Sequence, residues 1–328
     1  MRIKRIKNEG EGYYHLVSRC CEQLFLFKEC EKDMFVKMMR KAEYFCGVEV
    51  LSYCVMDNHF HILAHVLKRQ EVTEEMLVDR VGVLYGDRMA AEMRARWEQY
   101  RRDGETRRLE AEQECLRRRM GDISPFMQTL KQRFTAWYRH NHGGSGTIWQ
   151  CRFGSTIVEG ADGALSAVSA YIDLNPVRAG IVEKPEGYRW SSYGAATRGN
   201  PAAMRGLAHL YASDADGADF IGRYAASYRE KLYMKGSDSI DRKEVEKVIR
   251  ERGELPLATL LRCKVRYFTS STFFGSKEFV NAEFEKHRYA FGPKRKTGAR
   301  GIGICKNWDG VRLYSARDLQ KSPVDVTA

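Results

Sequence analysis

The run Leu51-Ser-Tyr-Cys-Val-Met-Asp-Asn-His-Phe-His-Ile-Leu-Ala-His65 is apolar and β-favouring, interrupted by histidines at alternating positions. Extended backbone sends successive side chains to opposite faces, so His59 and His61 share one face and Phe60 takes the other. The run therefore demands a sheet, and one face of that sheet carries two adjacent imidazoles. Such a pair makes a bidentate metal site. It serves equally as the solvated face of a half-buried strand, and the pair alone does not choose. His65 has the same parity but lies too far along to share an ion comfortably with the other two.

The flanking chain gives this strand its neighbours. Tyr13-Tyr-His-Leu-Val-Ser-Arg19 has strand composition, and His15 within it is read as structural. The spacing from Lys28 to Cys46 predicts a helix, with Met34, Phe35, Met38, Met39, Ala42 and Phe45 on one side. Strand, helix, strand is the opening of an α+β unit with an antiparallel sheet. From Lys68 to Asp122 the chain becomes rich in Arg and Glu of nearly balanced sign. It reads as exposed helices held by i,i+4 ion pairs, either a solvated insertion or a nucleic-acid clamp. Ser124 and Pro125 are read as the N-cap and first position of another helix, whose face carries Phe126, Leu130, Phe134 and Trp137.

Charge narrows the partners. The 328 residues carry a formal net charge of +12, which favours polyanions, nucleic acid first among them. No apolar run is long enough to span a bilayer, and the basic N-terminus lacks the apolar core of a secretory signal. The expected location is the cytoplasm, in association with the nucleoid, with no membrane partner. Nine cysteines, irregularly spaced and without a Cys-x-x-Cys pair, read as reduced thiols.

A second anchor is Tyr171-Ile-Asp-Leu-Asn-Pro-Val-Arg-Ala-Gly180. On a helix, Tyr171 and Asn175 are one turn apart and share a face, and Pro176 ends the helix near Asn175. A phenol and an amide oxygen would be presented together. A buried tyrosine and a capping asparagine account for the same residues.

Taken in order, five segments resemble the REP-associated tyrosine transposases, within the one-tyrosine HUH superfamily of single-strand endonucleases. They are Tyr14-His-Leu-Val-Ser-Arg19, Val55-Met-Asp-Asn-His-Phe-His-Ile-Leu63, Trp149-Gln-Cys-Arg-Phe153, Tyr171-Ile-Asp-Leu-Asn-Pro-Val-Arg-Ala-Gly-Ile-Val182 and Tyr188-Arg-Trp-Ser-Ser-Tyr193. The resemblance covers roughly residues 10 to 195. It departs from the pattern at the charged stretch 68–122, which is longer than the family leads one to expect.

The resemblance implies a ferredoxin-like (RRM-like) α+β fold: an antiparallel sheet with helices on one side, interrupted by a helical insertion. Residues 1–195 would form the catalytic domain, with 68–122 as the insertion. Residues 196–328 would form a basic, mainly helical accessory module that adds DNA binding, the stretch around Gly194 to Ala203 serving as linker. The implied activity nicks and rejoins single-stranded, hairpin-bearing DNA through a 5′-phosphotyrosine on Tyr171. His59, His61 and Asn175 would hold Mg²⁺ or Mn²⁺. Trp149, Arg152, Arg178, Arg189 and Trp190 are the candidate DNA contacts, and Asp57 a candidate partner for an imidazole. With one tyrosine per chain, strand exchange takes either a homodimer or two successive events. Two other readings stay open: a non-catalytic binder or repressor on the same scaffold, and a zinc-dependent hydrolase.

Overall fold

The computed structural model describes residues 5–8, 10–21, 25–68, 71–210, 271–301 and 312–316. Strand β1 (Gly12–Arg19) leads into helix α1 (Glu29–Cys46), which opens with the Lys28 N–H donating to Glu31 Oε2 at 3.0 Å. The helix stops at Gly47, whose φ of 59° suits a residue without a Cβ. The histidine run is a hairpin rather than one strand. β2 (Val48–Val55) and β3 (His59–Val66) are antiparallel and turn at Met56–Asn58. Asp57 and Asn58, turn formers inside an otherwise β-favouring run, shape the entry to the histidine strand.

Helices α2 (Glu74–Tyr85), α3 (Asp87–Arg102) and α4 (Thr106–Arg117) follow, then the long α5 (Ile123–His142) and β4 (Gly154–Val158). Asp122, not Ser124, caps α5. Its Oδ1 accepts the Ser124 N–H at 2.7 Å, which moves the helix start ahead of Pro125.

The first four strands lie in the order β2-β3-β1-β4, each pair antiparallel. With α1 and α5 as the two crossovers, this is the ferredoxin-like βαββαβ arrangement, and α2–α4 are inserted ahead of its second crossover. β4 then pairs in parallel with β5 (Phe273–Gly275), and β7 (Tyr314–Ser315) and β6 (Arg300–Gly301) extend the sheet to seven strands.

Directly opposed residues share a sheet face, so the register sorts the side chains. Leu16 and Ile62, Tyr14 and Ala64, Ser18 and Phe60 point one way. Phe60 meets Phe35 of α1 at 4.5 Å between ring centroids, and Phe27, Phe134 and Trp149 complete that buried aromatic cluster.

The opposite face carries Tyr13, His15, Val17 and Arg19 of β1 with His65, Leu63, His61 and His59 of β3. It is not open. Helix α6 (Asp162–Asp173), the short α7 (Asn175–Arg178), α8 (Ser192–Ala196) and α9 (Pro201–Leu210) lie on that side. The expectation of helices on one side of the sheet thus holds only for the crossovers. α6 to α9 are apolar enough to need burial too, with Ala164, Val168, Ile172, Leu207 and Leu210 all buried.

The expected linker near Gly194–Ala203 is packed structure as well. Its small residues permit close approach rather than freedom: a Cβ on Gly194 would overlap the Tyr188 carbonyl oxygen, and in α9 just beyond, one on Gly206 would lie 2.6 Å from the Leu51 and Val50 carbonyl oxygens. The remaining element, α10 (Lys277–Lys286), packs beside β5. The helical pieces expected at 218–233 and 241–252, and most of the proposed accessory module, lie outside the described residues.

Candidate active site

β3 delivers His59 and His61 to one face with ring centroids 5.1 Å apart, as strand parity dictates. His61 is buried, and burial holds its pKa well below the usual imidazole value, with His59 and His15 acting in the same direction. Burial likewise lowers His59, to about 4, with the Arg19 guanidinium adding to it. Both rings are therefore neutral at physiological pH, the form that ligates metals.

Their Nδ1 atoms are engaged. Asn58 Oδ1 lies 2.7 Å from His59 Nδ1, and because a carboxamide oxygen only accepts, that nitrogen carries the proton and Nε2 the lone pair. His61 Nδ1 lies 3.0 Å from His15 Nε2. Asp57, the expected imidazole partner, instead forms an ion pair with Lys32 at 2.5 Å. The neighbouring Asn58 takes the role, because the hairpin turn aims Asp57 at α1.

Helix α6 lowers Tyr171 onto these rings. Its ring sits edge-on to His61 at 5.5 Å and to His15 at 5.8 Å between centroids. Burial raises its pKa, while the Arg178 guanidinium and then Arg19 pull the other way. Arg178 lies over the Tyr171 ring at 4.8 Å, and its Nε and Nη1 are buried with no hydrogen-bond partner among the described residues. The residue as a whole is half-buried and its guanidinium also bonds the Tyr171 hydroxyl, so two buried N–H groups are left that an anion would satisfy.

Asn175 stands one turn beyond Tyr171, and its side-chain N–H₂ donates to the Tyr171 carbonyl at 3.0 Å and to that of Ile172 at 3.4 Å. The amide thereby caps the helix that carries the phenol. The helix is fixed in turn by buried Asp173, whose Oδ1 accepts from the Tyr193 N–H and the Ser192 hydroxyl, both at 3.0 Å.

The other sequence-selected residues are scattered. Trp149 is buried on the crossover face, its indole N–H donating to Thr135 Oγ1 at 2.9 Å, so it packs the core away from the histidines. Arg152 is exposed on the loop before β4. Arg189 pairs with Asp33 at 3.0 Å and stacks on Trp190, whose indole N–H donates to the same Asp33 at 2.8 Å. These two are tied to the start of α1.

The sequence reading passed over two members of the cluster. His15 contacts both His61 and Tyr171, and Arg19 sits opposite His59 in register. The first strand is expected beside the histidine strand and His15 is read there as structural; the register that sets His15 and Arg19 against the histidines is what the sequence does not encode.

Chemically, the cluster offers two imidazole lone pairs, an amide oxygen, a buried phenol and an arginine with spare donors. Among the described residues no helix is long and apolar enough to cross a membrane. The family described as transposase, IS200-like, matches residues 10–99, a stretch that holds both histidines and stops short of Tyr171. A solved REP-associated tyrosine transposase, bound to a REP hairpin, is similar at 15% identity and a TM-score of 0.40, covering 66% of this chain and 95% of that one. No curated protein matches the chain.

Proposed function

We propose that this chain, whose residues 10–99 match the IS200-like transposase family, cleaves and rejoins single-stranded, hairpin-bearing DNA with Tyr171 as the nucleophile. The observation that carries the reading is the meeting of Tyr171 with His61, His15 and Arg178 on one sheet face. The guanidinium against the phenol supports the reading, because it supplies the positive charge that a phenolate and a phosphate both need.

In this reading His59 and His61, through Nε2, and Asn175, through Oδ1, would hold Mg²⁺ or Mn²⁺. The donor set fits: neutral imidazoles and an amide oxygen leave positions for phosphate and water. Such an ion polarises the scissile phosphate and takes up the negative charge that develops on it.

Arg178 donates to phosphate oxygens through the N–H groups that no described residue takes up, and at the same time favours the phenolate of Tyr171. The Tyr171 hydroxyl gives up its proton to solvent as its oxygen attacks phosphorus, the bond from phosphorus to the 3′ oxygen breaks, and that oxygen takes a proton from solvent and leaves as a 3′-hydroxyl. A 5′-phosphotyrosine remains, and a 3′-hydroxyl can reverse the step, so rejoining needs no external energy. His15 orients the His61 ring, and Asn58 does the same for His59.

The test is incubation of the protein with labelled hairpin-bearing single-stranded DNA and Mn²⁺, followed by denaturing electrophoresis. The wild type should give a covalent protein–DNA adduct, and Tyr171→Phe none while still binding DNA. Cleavage surviving in Tyr171→Phe would point to metal-dependent hydrolysis, and binding without cleavage by the wild type to a repressor.

A further inference from the structure

The same sheet face bears a second cluster, at the other end of β3. His65 is 2% exposed, and each of its nitrogens meets a carboxylate: Nδ1 is 2.8 Å from Glu49 Oε2, and Nε2 is 2.9 Å from Glu11 Oε1. His209 comes in from α9, its Nδ1 3.8 Å from the same Glu49 Oε2 and its Nε2 3.3 Å from the Tyr13 hydroxyl. One ligand atom from each of Glu49, His65 and His209 lies within 4.8 Å of the others.

An imidazolium held between two carboxylates would explain His65, Glu11 and Glu49. It leaves unexplained why a second imidazole from another element turns the same nitrogen toward the same oxygen.

We propose that Glu49 Oε2, His65 Nδ1 and His209 Nδ1 bind a zinc ion, with water in the fourth position. Tetrahedral zinc with ligands at about 2.0–2.2 Å sets neighbouring donors roughly 3.4 Å apart. The separations of 2.8 and 3.8 Å bracket that value, so small side-chain rotations suffice. The outer partners are already in place. With an ion on each Nδ1, Glu11 accepts from His65 Nε2–H and Tyr13 Oη from His209 Nε2–H, so each ring is held through its other nitrogen. The Tyr13 ring also stacks on His65 at 4.3 Å and 5°, locking its plane.

Two imidazoles, one carboxylate and water are a donor set that zinc accepts readily. This site is separate from His59 and His61, since four strand residues place His65 about 13 Å from His61. Its effect is structural. The ion clips α9 to the end of the sheet where β1, β2 and β3 meet.

The inference does not depend on the proposed cleavage activity and is tested without it. Chelator-stripped full-length protein is re-equilibrated with Zn²⁺ and desalted, its zinc content measured by mass spectrometry and its affinity by competition with a chromophoric chelator. Melting temperature is followed with and without zinc.

The wild type and His59→Ala should retain the ion and melt higher with it. His209→Ala, an exposed substitution that leaves the core intact, and Glu49→Gln should lose both effects. Glu11→Gln should bind roughly 10- to 100-fold more weakly. A wild type that takes up no zinc overturns the proposal. So does a His209→Ala protein that binds as tightly as wild type, which would place the ion on the exposed cysteines or on His59 and His61.

Discussion

At the scale of single residues, Arg178 is the group whose position asks most of a ligand. Its Nε and Nη1 are buried and unused, and its guanidinium covers the Tyr171 ring. Leaving such donors dry costs on the order of 1–3 kcal/mol, which a bound phosphate would offset with charge-assisted hydrogen bonds. Arg178→Ala should therefore slow adduct formation by about 10²-fold, the effect of removing one preorganised oxyanion donor. Arg178→Lys should recover only part, since an ammonium keeps the charge but loses the planar fork. A second readout separates this from misfolding. Burial raises the Tyr171 pKa and Arg178 is the first influence opposing it, so its removal lets the pKa climb further. The rising limb of the pH–rate profile should then move to higher pH in Arg178→Ala, and an unmoved profile with an unchanged rate would sink the role. How much of this site was legible follows from the range of the forces involved. The shared face of His59 and His61 follows from strand parity, and the approach of Asn175 to Tyr171 from helical spacing, both local. His15, Arg19 and the stacking of Arg178 depend on strand register and on which face α6 covers, and no local period encodes those. Asn58 supplanting Asp57 was decided by a turn.

At the scale of elements, the charged insertion shows where composition misleads. Its Arg and Glu residues do form the expected surface pairs, Arg88 with Glu92 at 2.8 Å and Arg118 with Glu114 at 3.2 Å among them. Exposed pairs of this kind contribute little. The energy lies in the sparse apolar positions: Leu77, Val78, Val81 and Leu84 of α2, and Met93 and Trp97 of α3, are buried in the same core as β1 to β3. The Tyr85 ring meets Phe45 of α1 edge-on at 5.9 Å, and the Arg119 guanidinium covers the same Phe45 at 4.5 Å. The insertion is thus a buttress for α1 and not only a solvated decoration. Trp97, with 0% exposure, is the residue to remove. Trp97→Ala should destabilise the protein by about 3–5 kcal/mol in urea unfolding, and in a single transition that carries α1 and the sheet with it. An early, separate transition that spares the rest would show that the insertion folds as its own unit. Adduct formation at low temperature should be nearly unchanged, since α3 packs against α2 and α4 while Tyr171 meets the histidine rings on the opposite face of the sheet. The density of Arg and Glu in the segment is what suggests a clamp or a solvated surface. A 3.6-residue period with so few apolar positions hides its buried stripe, because long arginine stems cover much of what a helix of this kind must shield.

At the scale of the whole molecule, the sheet joins residues that a boundary near 195 would separate. Ile157 of β4 pairs in parallel with Phe273 of β5, and Val158 with Phe274, across more than a hundred residues of chain. The Ile157 N–H donates to the Thr272 carbonyl and the Glu159 N–H to that of Phe274, both at 2.9 Å. Glu159 then holds the start of α10, its carboxylate accepting from the Ser276 N–H at 2.6 Å and the Ser276 hydroxyl at 2.8 Å. Without β5, β4 would be an open edge facing water, and an edge strand invites unwanted pairing. The sequence could not reveal this partner: Phe273-Phe274-Gly275 is too short to announce itself as a strand, and a parallel pairing at this distance has no hairpin turn to mark it. If β5 is integral, Ile157 and Phe273, both buried and directly paired, share one packing arrangement. Each alanine variant alone should then be destabilising, by roughly 2–5 kcal/mol. Because each removes a neighbour of the other, the double variant should fall short of the sum by about 0.5–3 kcal/mol. Independent modules predict the contrary, additive effects or two unfolding steps, with Phe273→Ala melting only the C-terminal part. Coupling in that cycle has a functional corollary, because β4 also pairs with β1, the strand that carries His15 and Arg19. Loss of β5 should then loosen the histidine face from the far side of the sheet, and adduct formation by Phe273→Ala should become heat-sensitive at the temperature where its single transition begins.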